Sequence, residues 1–215
     1  MMLTLFRILE LEQGSITLDG IDIRRVGLKR LRQSIAMLPQ DPTIFSGSIK
    51  QNLDPFEEHS DSTLWNALER AQLKEAVESL PKMLDTDVGE GGDAFSVGQR
   101  QLMCLARAVL RDAKLLVMDE CTASVDVETD AMVQTMIRDV FKDCTVFAIA
   151  HRLGTIIDYD QILVLGDGNV IEEGNPATLL DNPDGSLSSL VDGTGAASEA
   201  HLRSVAYASV GRSYP

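Results

Sequence analysis

Asp119 and Glu120 stand side by side at the end of an unbroken apolar run, Leu115-Leu116-Val117-Met118. Four consecutive apolar residues describe a strand covered on both faces, as in a parallel sheet. In open α/β sheets, ligands bind beyond the carboxyl ends of the strands. Two adjacent carboxylates there are costly to bury unless they hold a cation or share hydrogen bonds. One of them can coordinate Mg2+ through oxygen, and the next can orient or deprotonate a water. The same pattern also fits a strand that simply exits into an acidic loop.

A second run, Phe-Ser-Val-Gly-Gln-Arg-Gln over 95–101, opens onto a helix predicted from Gln99 to Arg111, with Leu102, Leu105, Ala106 and Val109 on one stripe. Ser96 and Gly98 put free backbone N–H groups, with a hydroxyl beside them, at a helix N-terminus. That arrangement receives anions. Ser96 taken alone also reads as an ordinary N-cap. The acid-tipped strand follows this helix without interruption, so an anion turn and a cation-binding pair fall in one stretch.

The elements that must position these residues alternate along the chain. Residues 14–23 predict a hairpin around Asp19-Gly20, and 34–40 a short strand running into a Pro-containing loop. A helical pattern spans 60–80, capped by Ser60 or Asp61 and stopped by Pro81. Helix 127–141 precedes strand 145–151, and 161–174 reads as a hairpin with a Gly-Asp-Gly turn. Pro176 sits where a helix starts. The opening residues Met1 to Glu10 have helical spacing but no cap. The stretch 192–215 is rich in Gly, Ala and Ser without a steady period and is expected to be a flexible tail. The alternation of helix and strand from 99 to 165 predicts a parallel α/β core.

The composition narrows the partners. A net charge of −14 over 215 residues disfavours nonspecific contact with nucleic acid. Cys104, Cys121 and Cys144 are odd in number and widely spaced, which argues for packing thiols rather than a disulfide framework. No apolar run approaches the roughly 18 residues of a membrane helix, and the first residues lack the pattern of a signal peptide.

At the two chemical runs the sequence resembles the ATP-binding-cassette (ABC) ATPases: 95–101 looks like their signature motif and 115–120 like their Walker B strand. Three further stations fall in order. Gln40 matches the Q-loop glutamine, residues 122–126 the D-loop with Asp126 as its acid, and His151 the switch histidine. The segments 45–56 and 151–174 resemble the second nucleotide-binding domain of the multidrug-resistance-associated (C) subfamily of ABC exporters. Val97, where many relatives carry Gly, fits that subfamily; Phe95, where Leu is commoner, departs mildly.

The resemblance implies a P-loop NTPase-like parallel sheet with an antiparallel β segment and a helical subdomain over about 46–110, within an ATP-binding domain spanning 1–191. It implies ATP and Mg2+ as cofactors, with Asp119 and Gln40 at the metal, Glu120 polarising the attacking water, and His151 at the γ-phosphate. Ser96, Val97, Gly98, Gln99 and Asp126 would act across a head-to-tail dimer with a second nucleotide-binding domain. Transmembrane domains would be the other partner, and the chain would sit at the cytosolic side of a membrane. Phosphate binding in this family uses G-x-x-x-x-G-K-[ST], and residues 1–215 contain no such run. The resemblance places the opening helix just after that loop, so the N-terminal strands and the phosphate loop are expected to lie outside this sequence. Two alternatives follow: a half-site donor that supplies the signature motif to a partner, and a soluble ABC protein not linked to transport.

Overall fold

The computed structural model describes residues 2–121 and 127–214, in two units, Met1–Ile149 and Ala150–Pro215. The first unit opens with helix α1 (Met2–Leu5), shorter than the expected Met1 to Glu10. The chain leaves helical geometry at Arg7, which has a φ of 48°. There the guanidinium donates to the carbonyls of Ile23 (3.2 Å) and Val26 (3.0 Å). These bonds replace the second helical turn, and Ile8 and Leu9 remain exposed.

Strands β1 (Thr17–Leu18) and β2 (Ile21–Asp22) pair around Asp19-Gly20, whose φ values of 49° and 76° are those of a type I′ turn. Helix α2 (Leu28–Gln33) leads into β3 (Ile35–Leu38). Four helices follow: α3 (Ile49–Leu53), α4 (Asp61–Arg70), α5 (Lys74–Glu78) and α6 (Val97–Leu110). The single helical stretch expected over 60–80 is thus two helices, broken at Gln72, which takes a φ of 52°. Strand β4 (Leu115–Asp119), helix α7 (Val127–Val140) and strand β5 (Thr145–Ile149) complete the unit.

The sheet is parallel, in the order β3-β4-β5, with Leu38 opposite Met118 and Asp119 opposite Ile149. The central strand is buried on both faces, as its composition predicts: Leu115 to Met118 are at most 8% exposed. Its alternation divides them. Leu115 and Val117 pack with Ile23, Leu31 and Ile35, which leaves Leu116 and Met118 for the opposite face. Helix α6 lies against β3 and α4.

In the second unit, β6 (Ile162–Gly166) and β7 (Asn169–Gly174) form a hairpin turning at Asp167-Gly168, again with positive φ at both residues. Helix α8 (Pro176–Leu180) starts at its proline and is capped by Asn175, which accepts from the Ala177 N–H at 3.0 Å. Helix α9 (Ser186–Asp192) has no cap of its own. The Glu172 carboxylate of β7 serves instead, accepting from the N–H groups of Ser186 (2.7 Å) and Leu187 (2.9 Å). Negative charge at a helix N-terminus is the favourable sign.

The expectation of an irregular tail over 192–215 is corrected by helix α10 (Ala196–Ser209). Its buried face joins Leu202 and Ala206 to Ile157, Ile162, Leu180, Leu187 and Val191. Polar anchors add what its small residues cannot. Arg203 donates to Asp192 (2.7 Å), Glu199 (3.1 Å) and the Leu180 carbonyl (3.2 Å). Tyr207 donates to Asp181 at 2.6 Å, and Arg212 reaches both oxygens of the same carboxylate. Arg212 first, and then Tyr207, hold the Asp181 carboxyl below its ordinary value. A carboxylate with a depressed folded pKa stabilises the folded state above its unfolded value, and that contribution is lost as pH falls through the folded one. The docking of α10 is therefore expected to be intact at neutral pH and to weaken below about pH 4. The near-UV tyrosine signal should fall over that range, and Asp181→Asn should start lower and stay flat. A wild-type signal constant down to about pH 2 would contradict this anchoring. No helix among the described residues is long and apolar enough to cross a membrane.

Candidate functional site

The carboxyl end of the parallel sheet collects three of the expected residues. Asp119 ends β4, and Glu120 follows it; both are half-buried. Gln40 leaves the neighbouring strand two residues beyond Leu38 and is exposed. Oxygens from two adjacent strand ends are thus presented at one edge. Glu120 takes a φ of 46°, a left-handed backbone uncommon for a residue with a Cβ. Its N–H donates to the Ile149 carbonyl of β5 at 3.0 Å, which holds that conformation. Such a conformation costs about 1–3 kcal/mol and persists only where its surroundings impose it. The Cys121 thiol that follows is pushed up to about 12 by burial and stays protonated at neutral pH, so it is inert as a nucleophile.

The Ser96 turn is built on a glycine-rich approach. Gly89, Gly91 and Gly92 all have positive φ. A Cβ at Gly92 would lie 2.8 Å from the Cβ of buried Ile44, so this close approach requires glycine. Phe95, 7% exposed, anchors the turn in the core, and its N–H donates to the Gly92 carbonyl at 2.9 Å. Arg100 adds a bond to the Gly91 carbonyl at 3.2 Å. Helix α6 then begins at Val97, two residues before the expected start, with a reciprocal capping box. Ser96 Oγ accepts from the Gln99 N–H at 3.2 Å, and Gln99 Oε1 accepts from the Ser96 N–H at 3.0 Å. The box leaves the N–H groups of Val97 and Gly98 without an intrahelical acceptor, at the positive end of a 14-residue helix. Both readings of Ser96, cap and anion donor, are therefore compatible with one geometry.

His151 is exposed, in the second unit, two residues past the end of β5. Asp126 lies outside the described residues. The sequence reading missed two buried polar residues, Asn52 (3% exposed) and Gln101 (1%), and the half-buried Arg107 that bonds Asn52. The signal was faint: Gln101 stands directly before the apolar run Leu102, Met103, Cys104 and Leu105 and is buried with it.

The family model described as "ABC transporter" matches residues 1–123. Among curated relatives, ABC transporter C family member 3 of Dictyostelium discoideum is 51% identical over 206 residues, covering 96% of this chain and 15% of its own length. ATP-binding cassette sub-family C member 2 of Rattus norvegicus is 54% identical over 178 residues, covering 83% of this chain and 12% of its own. The chain thus spans less than one sixth of the length of these relatives. Among solved structures, a bacterial Atm1-family ABC exporter with ATP bound superposes with a TM-score of 0.82 at 33% identity, over 91% of this chain and 34% of that one. It shares the α/β architecture that the sequence predicts. A glycine-built signature turn, an acid-tipped central strand and a family model matching more than half of the residues lead to one conclusion: the chain belongs to the ABC transporter family.

Proposed function

We propose that the chain is the ATP-handling domain of a C-type ABC exporter, which couples ATP binding and hydrolysis to transport across a membrane. The observation that carries this reading is the carboxyl edge of the sheet, where Asp119 and Glu120 end the middle strand beside the exit of Gln40. The donor set fits the cofactors. Mg2+ is usually held by one or two protein oxygens together with phosphates and waters, and Asp119 with Gln40 supplies that number. Bound Mg·ATP would supply the electrophilic phosphoryl group and the charge neutralisation of its transfer.

Asp119 would hold the metal through its water shell, and Gln40 would meet metal and water. Glu120 accepts hydrogen bonds from the attacking water and orients it. His151 would donate toward the γ-phosphate, stabilising the charge that develops on it. Ser96, Val97, Gly98 and Gln99 would present hydroxyl and N–H donors to a γ-phosphate bound on an opposing domain, and Asp126 would act at the same interface. The partners are a second nucleotide-binding domain, head to tail, and transmembrane domains, which place the chain on the cytosolic side. Residues 1–191 form the ATP-binding domain, with its helical subdomain over about 46–110.

A second reading, the chain as donor of the signature turn to a partner's nucleotide, draws on the exposed Ser96 and Val97 of the capping box that opens α6. Both readings are tested by titrating the chain into an intact nucleotide-binding domain of an ABC exporter and following phosphate release, with ATP binding to the chain alone measured by a fluorescent analogue. Stimulated hydrolysis supports a composite site, and binding by the chain alone separates the first reading from the second. Neither stimulation nor binding would overturn both.

A further inference from the structure

The helix that begins at the Ser96 turn also grips both flanks of the segment carrying Gln40. Gln101 donates from Nε2 to the Pro39 carbonyl, immediately before Gln40, at 3.4 Å. Less than two turns further along α6, Arg107 Nη1 donates to the Thr43 carbonyl, three residues after Gln40, at 2.5 Å. Arg107 Nε and Nη2 hold the Asn52 carbonyl and side-chain oxygen, each at 2.7 Å. Asn52 in turn bonds the Phe45 N–H (2.9 Å) and carbonyl (2.8 Å). Burying the Gln101 amide, and half-burying a guanidinium whose oxygen acceptors are all neutral, is costly in a helix that apolar residues would fill. Neither side chain has a part in the chemistry described above, yet both are aimed at the same loop.

We propose that Gln101 and Arg107 are positioning residues for Gln40: α6 suspends the Gln40 loop at Pro39 and Thr43, so the helix that presents the signature turn also sets where Gln40 stands. That Gln40 meets a nucleotide rests on the function proposed above. The suspension does not, and its test reads loop mobility rather than hydrolysis.

The full 215-residue chain carries Cys144→Ser, and Cys104 and Cys121 are buried. A nitroxide is attached at Asp41→Cys in the loop and, in a separate sample, at Glu78→Cys on α5; both parent side chains are exposed. The label at 41 is restricted in the parent chain. Gln101→Leu, which keeps the volume and removes the donor, shortens its correlation time at least about twofold, as does Arg107→Lys. The label at 78 and the Trp65 emission stay unchanged. An unchanged spectrum at 41 in Gln101→Leu overturns the proposal, and so does an equal loosening at 78, because the substitution would then have relaxed the subdomain as a whole. Should Arg107→Lys fail to fold, Gln101→Leu decides alone.

Discussion

Arg107→Met lowers the stability of the first unit by about 3 kcal/mol, and Asn52→Leu by about 4 kcal/mol. The guanidinium makes three short bonds to neutral oxygens, of Thr43 and twice of Asn52, and lies over the Phe45 ring at 5.6 Å. Burial pulls its pKa down from the ordinary value; an arginine side chain nonetheless stays charged in proteins. Methionine fills much of the same volume but leaves the Thr43 and Asn52 carbonyls without donors. Asn52 is the more exacting of the two. Its oxygen accepts from Phe45 and Arg107, and its amide donates to the carbonyls of Phe45 and Ser48. Leucine there strands the charged group as well as the loop. Trp65 of α4 is the single tryptophan, so its fluorescence in urea follows this unit alone. A fall in midpoint at constant slope is expected. A loss below about 1 kcal/mol for either variant would mean that water replaces the network without cost.

The sheet and the capped helix were legible because local and tertiary preferences agree there. Leu115 to Met118 have no polar atom to expose, and the two acids mark where the strand must end. Asp19-Gly20 and Asp167-Gly168 announce their turns through residues that tolerate positive φ. Ser96 and Gln99 stand at the spacing of a capping box and make one. The first helix was overread because spacing alone cannot show that Arg7 prefers distant carbonyls to the next helical turn. The C-terminal helix was overlooked for the opposite reason. Alanine and serine give it a faint apolar stripe, while its attachment depends on Arg203, Tyr207 and Arg212 meeting acids just past α8, on α9 and in its own first turn. Those pairings exist only after folding. The Asn52–Arg107 network was hidden for the same reason, since the two residues stand 55 positions apart.

Ser96 carries two roles that one series of substitutions separates. Ala removes both the cap and the hydroxyl: it costs about 1 kcal/mol of stability and the contact to phosphate. Asp is as good an N-cap as Ser and satisfies the Gln99 N–H, so Ser96→Asp keeps the melt of the chain within about 0.5 kcal/mol of wild type. Its carboxylate, however, stands where the N–H groups of Val97 and Gly98 would receive an anion, and it both occupies those donors and repels the γ-phosphate. Losing a single oxyanion-type donor typically costs about 10²–10³ in rate. Ser96→Asp is therefore expected to abolish stimulation of an intact partner domain by about that factor in the phosphate-release titration, with its fold unaltered, while Ser96→Ala loses activity and stability together. Full stimulation by the Asp variant would reduce Ser96 to a cap and remove the signature turn from the composite site. The opposite pattern, normal stability with no stimulation, cannot be produced by a damaged helix, because the cap that holds α6 in place is still made.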